Sequence, residues 1–281
     1  MQFQRGMVSK SLTRATTRHV RLWFKDPSVV RSASLGHQIL SIHLRHHTSA
    51  ASVNFDYGQV RQEICQEWIN QQGKSPQGLT NTARYCCFTL DDAQRAYRAS
   101  DAPWHWLDRE MSSNLAGETG AVHIYKGALA AMKIRSVSPS AVEFCQEHQS
   151  TEQSHLDIFS RVLMDGKYTK LLPVWRLAGW TLGFVPTLLG GSKALYVTVE
   201  AVETFVEEHF LEQIVPLEKS GACPELLKVL KHCCADEVHH KEDAAKRLLD
   251  DKVDLTSWWI QPWSMVVSQG SAVAAEVARR I

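Results

Sequence analysis

The sequence has no Cys-x-x-Cys pair, no G-x-G-x-x-G loop and a single acid in its first fifty residues. Each absence excludes something. Seven cysteines (Cys65, Cys86, Cys87, Cys145, Cys223, Cys233, Cys234), odd in number and without zinc spacing, argue for free thiols in a reducing compartment, not a disulfide framework. Without a glycine-rich phosphate loop, no dinucleotide fingerprint is visible. Residues 1–50 set eight Lys and Arg (Arg5, Lys10, Arg14, Arg18, Arg21, Lys25, Arg31, Arg45) against Asp26 alone, so of the totals of 31 basic and 30 acidic residues the rest of the chain holds 23 and 29. That body is mildly acidic, and a nucleic-acid partner is not expected. Alternating β-branched stretches are also missing, which makes the expected fold all-α.

What the chain does have falls into three parts. The N-terminal stretch "MVSKSLTRATTRHVRLWF" is rich in Arg and Ser and poor in acids, the composition of a mitochondrial transit peptide, assigned to 1–50; a disordered basic arm is the alternative. It contains no long uncharged run for secretion. Residues 51–105, with the polar, turn-rich "NQQGKSPQGLTNTA", read as a linker or a lineage-specific extension. Residues 106–281 form the helical domain.

In that domain a first helix begins near Leu107, and Ser138-Pro139 can cap and open a second that runs to about Met164. A third is expected from Lys193 to Val215, ending before Pro216. A fourth runs from Cys223-Pro224 to about Leu249, and a fifth, "WSMVVSQGSAVAAEVARRI", closes the chain. Between the second and third lies the apolar "LLPVWRLAGWTLGFVPTLLGGSKALYVTV". Its longest uncharged run, Leu177 to Ser192, is too short to span a bilayer comfortably. Two readings stand: a buried crossover, or a segment lying on a membrane surface with its Trp residues at the interface, the second being favoured.

The stretch "CADEVHHKED" offers two acid–histidine pairs at i, i+3, Asp236 with His239 and Glu237 with His240. A wider pattern separates them. Glu152-Gln-Ser-His155 and Glu237-Val-His-His240 are both E-x-x-H, and each is preceded by a glutamate 34 residues earlier, Glu118 and Glu203. All three positions repeat at an offset of 85. In an antiparallel helical hairpin, residues equidistant from the turn lie level. The midpoints, 135 and 220, fall at the breakers before Ser138-Pro139 and at Ser220-Gly221. At about 1.5 Å per residue each site lies roughly 25 Å from its turn, in the core, where a carboxylate needs a partner. A Glu from each of two helices plus Glu-x-x-His from the other two is the ligand set of di-iron and di-manganese carboxylate bundles. The expected ligands are therefore Glu118, Glu152, His155, Glu203, Glu237 and His240. Carboxylate and imidazole suit iron or manganese, and no Cys in the set argues against structural zinc. Glu200, Glu207, His123, His148 and His209 lie nearby but break the repeat.

The stretches "LDREMSSNLAGETGAVHIYKGALA", "TEQSHLDIF", "LLPVWRLAGWTLGFVPTLLGG", "TVEAVETFVEEHFLEQI" and "ADEVHHKED" resemble, in order, the mitochondrial 5-demethoxyubiquinone hydroxylases of ubiquinone biosynthesis, over about 107–281. The resemblance implies a ferritin-like four-helix bundle with an apolar membrane-associated crossover and an additional C-terminal helix, peripheral on the matrix side of the inner mitochondrial membrane. It implies two iron ions as cofactor, O2 and a quinone lipid as substrates, NADH as electron donor and a lipid-binding accessory protein as partner. It leaves homo-oligomerisation open. By motif position the family's ligands fall on the same six residues. Asp108-Arg109 and Ile124-Tyr125 also match, making Arg109 a candidate cofactor-binding residue. Tyr125 is a candidate catalytic residue, with a plain core tyrosine as the alternative. The chain departs from the family at Asn114-Leu115, where Asp-His is usual, and at Thr119, where an aromatic is usual. Against a quinone hydroxylase stand two other readings: a ferroxidase or peroxide scavenger of the ferritin or rubrerythrin kind, and a non-catalytic lipid-binding scaffold.

Overall fold

The computed structural model describes residues 105–163 and 168–281; the transit-peptide and extension assignments for 1–50 and 51–105 lie outside them, save His105. Five helices follow in order: α1 (His105–Met132), α2 (Pro139–Val162), α3 (Leu172–Ser220), α4 (Pro224–Asp250) and α5 (Ile260–Arg280). The fold is an all-α bundle, with no strand among the described residues.

Helix boundaries follow local chemistry. The Ser138 hydroxyl accepts from Ala141 N at 3.3 Å, and Pro139 takes the first helical position, where its missing N–H costs nothing. Gly221, at φ 65°, closes α3 in the left-handed region that glycine enters freely. The α1–α2 and α3–α4 turns thus fall where the 34-residue spacing puts them.

α3 is two helices joined at Gly191: the start expected at Lys193 falls just past that break, while the far end runs through Pro216 to Ser220 instead of stopping at Val215. Pro216 removes one hydrogen bond within the last turn, whereas Ile214 and Leu217 are both fully buried. Burying two such side chains contributes about 1.5–3 kcal/mol each and holds that turn against the core.

The expected crossover is itself helical, and it doubles back. Gly191 stands at φ 69°, ψ −155°, breaking α3 into two limbs. Near its start, Thr169 N donates to Ser112 Oγ at 3.0 Å; near the break, Arg135 donates to the Leu188 and Leu189 carbonyls at 2.9 and 2.6 Å. Beyond it, Asn114 and Gln213 pair at 2.9 Å. The first limb therefore runs parallel to α1 and the second antiparallel to it. Backbone meets backbone along the first limb: a Cβ on Gly183 would lie 1.8 Å from the Ile124 carbonyl oxygen, and one on Gly179 2.2 Å from that of Gly120.

The crossover is buried along one side and exposed along the other. Its inner face (Gly179, Gly183, Pro186, Thr187) is buried, while Val174, Leu177, Trp180, Val185 and Leu189 are exposed. By length and composition α3 could cross a membrane, but 56% of its most apolar window is buried in the bundle. The fifth helix lies alongside, Trp263 Nε1 donating to Thr198 Oγ1 at 2.9 Å and Ser268 Oγ to the Ala201 carbonyl at 3.0 Å.

Two large apolar clusters fill the interior, with a smaller one of Ile124, Ala201, Val202 and Val267 beside them. Of the large two, one gathers Leu107, Met111, Phe159, Phe210, Ile214 and Leu230; the other Tyr125, Phe144, Leu195, Tyr196 and Leu248. On α1 the first ends at Leu115 and the second begins at Tyr125. Between them lies a polar layer.

Candidate metal centre

That layer holds all six expected ligands, each at most 4% exposed: Glu118 on α1, Glu152 and His155 on α2, Glu203 on α3, Glu237 and His240 on α4. Two overlapping constellations arise, Glu118–Glu152–His155–Glu237 and Glu152–Glu203–Glu237–His240, with the ligand atoms of each within 4.8 Å of one another. Glu152 and Glu237 belong to both. The two halves meet through imidazole nitrogens. His155 Nδ1 lies 2.8 Å from Glu237 Oε1 and 3.7 Å from Glu118 Oε2. His240 Nδ1 lies 3.0 Å from Glu152 Oε1 and 3.1 Å from Glu237 Oε2.

Four carboxylates in one dry layer demand countercharge. Burial, reinforced by the neighbouring acids, pushes Glu118 and Glu203 well above the ordinary carboxylate range. For Glu237 burial acts the same way, but His155 and His240 outweigh it and hold the group low. Burial opposes the charged form of His240, yet Glu152 and Glu237 raise it to about 10. Although Glu152 Oε1 faces His240, neither oxygen of Glu152 accepts a well-angled hydrogen bond. A buried carboxylate so placed costs on the order of 1–3 kcal/mol unless something electropositive meets it. The donor set fits two divalent ions of the oxygen- and imidazole-preferring kind, one for each constellation.

The other candidates sort around this centre. Glu207 pairs with Lys241, and Glu200 is half-buried and outside both constellations. Burial and Arg279 lower His209 to about 3; its Nδ1 lies 2.9 Å from Arg279 Nη2. The His123 ring bonds the Thr119 carbonyl. Tyr125 is 1% exposed, and burial with the charges of Glu203 and Glu152 raises its hydroxyl well above 10; that hydroxyl finds no hydrogen-bond partner. Arg109 is exposed, nine residues and about 13 Å of helix before Glu118, outside the cluster. The departures from the family leave no loose ends: Asn114 pairs with Gln213 in both directions, and Thr119 Oγ1 donates to the Leu115 carbonyl at 2.7 Å.

Asp236 escapes sequence reasoning, whereas His148, expected near the centre but outside the repeat, stands beside His240. Asp236 is buried, with Oδ2 3.2 Å from His155 Nε2, so it holds the ligand ring from behind. His148 is 1% exposed; its Nε2 lies 3.0 Å from Asp243 Oδ2 and its ring sits edge-on to His240 at 4.3 Å. Asp236 stands beside Glu237 in sequence, but its partner is on another helix, and no local spacing announces that.

Comparison with known proteins gives an independent result. The family model described as ubiquinone biosynthesis protein COQ7 matches residues 105–278. The chain is similar to a Dictyostelium discoideum protein named NADPH-dependent 3-demethoxyubiquinone 3-hydroxylase, mitochondrial, 29% identical over 62% of this chain and 77% of that one. It is 34% identical to the Mus musculus protein of the same name, over 55% and 66%. To the Saccharomyces cerevisiae protein named 5-demethoxyubiquinone hydroxylase, mitochondrial, it is 24% identical over 67% and 82%.

Proposed function

The chain belongs to the COQ7 family of ubiquinone biosynthesis proteins, and from that premise we propose that it is a mitochondrial di-iron monooxygenase hydroxylating the ring of a demethoxyubiquinone. The observation that carries this reading is the buried set of four glutamates and two histidines, complete at every position of the repeat. The reaction consumes O2, two electrons and two protons, leaving one oxygen on the ring as hydroxyl and releasing the other as water. A reduced nicotinamide supplies the electrons; NADH is the expectation from resemblance, while the relatives' names specify NADPH. Two bound irons would supply the activation of O2.

The chain's own residues do the rest. Glu118, Glu152, His155, Glu203, Glu237 and His240 would hold the metals. The two large apolar clusters keep water from the layer. Asp236 orients the His155 ring. Tyr125, two turns beyond Glu118, presents the unpartnered hydroxyl closest in kind to a ring-oxygen contact.

The outer flank suits a substrate whose isoprenoid tail stays in a membrane. Besides the residues of α3, Met265, Val266 and Val273 of α5 are exposed, and Leu182 packs in one cluster with Trp263 and Val267, joining the two helices. No acid occurs from Thr119 to Val142, from 168 to 199 or from 255 to 275, whereas Lys126, Lys133, Arg135, Lys170, Arg176 and Lys193 are exposed there. An apolar face flanked by these cations fits the surface of the inner membrane, approached from the matrix.

The test is to add iron-loaded full-length protein to a demethoxyquinone and reduced nicotinamide under air. Hydroxylated quinone that disappears in Glu118→Ala supports the reading. Rapid Fe(II) oxidation without hydroxylated quinone would instead indicate a ferroxidase.

A further inference from the structure

The 85-residue repeat allows the two metal ligand sets to be compared position by position. His155 corresponds to His240, Asp236 to Thr151, and Cys233 to His148. The ligands repeat; their backing does not. His155 turns Nδ1 toward Glu237 and Glu118, and Nε2 is held by Asp236 at 3.2 Å. His240 directs Nδ1 to Glu152 and Glu237, but the residue corresponding to Asp236 is the uncharged Thr151. Against the His240 ring lies His148, whose own Nε2 is committed to Asp243, itself held by Arg247 at 3.1 Å.

A carboxylate behind a ligating imidazole has two effects. It fixes the proton on the far nitrogen, so the near one presents its lone pair, and it makes that lone pair more basic. Asp236 does both for His155. Thr151 carries no charge with which to do either for His240.

Building on the di-metal reading above, we propose that the two seats are unequal. The seat of Glu118, Glu152, His155 and Glu237 takes the first divalent ion and holds it more tightly than the seat of Glu152, Glu203, Glu237 and His240. Asp236 is the positioning residue that sets the difference.

The experiment is an anaerobic calorimetric titration of the metal-free full-length protein with Fe(II) alone. The parent chain should show two classes of site, and loss of the carboxylate in Asp236→Asn should weaken the tighter class by about 10–100-fold while leaving the weaker one in place. His240→Ala should retain the tight class and His155→Ala only the weak one. Adding Asp236→Asn to His155→Ala should change nothing further, whereas a merely structural role for Asp236 would weaken both classes. Thr151→Asp should tighten the weak class, an arm that stands even if Asp236→Asn fails to fold. Two ions bound with one constant, a tight class lost in His240→Ala, or no effect of Thr151→Asp would overturn the proposal and leave the di-metal reading intact. No Fe(II) bound at all would overturn both.

Discussion

At the scale of single residues, the six candidate ligands were legible because geometry constrains them twice. A metal needs its donors level, and level residues in a hairpin are fixed by their distance from the turn. Neither E-x-x-H alone carries that information; the shared spacing of 34 and offset of 85 does. The backing groups obey no such rule. Asp236 reaches His155 and Asp243 reaches His148 across the bundle, and only packing decides which side chains meet there. One consequence concerns register. Glu203→Ala should cut bound iron, by elemental analysis, to about half or less of the parent's, because it removes a ligand. Glu200→Ala, outside both constellations, should leave it unchanged. The opposite pattern would contradict the ligand assignment.

A second consequence concerns protons. Burial raises Glu118 and Glu203, and the carboxylates raise His240 to about 10, so at neutral pH the metal-free layer holds protons that a metal must displace. The bound form carries fewer protons, so raising the pH favours binding. Apparent Fe(II) affinity should climb from neutrality toward pH 10, with acid released in weakly buffered solution. Affinity flat with pH, or proton uptake, would contradict this.

At the scale of elements, caps and breakers marked four helices and the start of the second limb of α3, but not its first limb or its end. Proline and glycine signal breaks locally, yet Pro216 lies inside the helix because buried Ile214 and Leu217 outweigh one missing hydrogen bond. The glycines of the crossover act as contact surfaces instead. Gly183 admits the α1 backbone so closely that an alanine methyl has no place to go, since the obstacle is a carbonyl and not a flexible side chain. Gly183→Ala should therefore destabilise the protein by about 1–3 kcal/mol, read by chemical denaturation. Gly221→Asn, at a left-handed cap that asparagine also tolerates, should cost well under about 1 kcal/mol. Equal losses would mean that the close crossing of α1 and α3 contributes little.

At the scale of the whole molecule, the charge balance and the apolar flank agree. The body is net acidic, yet no acid occurs from 168 to 199, which includes the first limb of α3, or from 255 to 275, which includes most of α5; Glu276 enters only near the end of α5. Composition alone hinted at this flank; only the reversal at Gly191, a single residue in the left-handed region, lays the limb along α1 with its apolar side outward. A bundle with a buried carboxylate layer and an exposed apolar flank suits the proposed oxygen insertion into a lipid ring. The most direct measurement uses the iron-loaded full-length protein, a demethoxyquinone in vesicles, reduced nicotinamide and 18O2, with mass analysis of the quinone. One 18O atom should appear in the ring, with none above background for Glu118→Ala or Glu203→Ala. Hydroxylated product without 18O, or equal labelling by the ligand variants, would contradict the account.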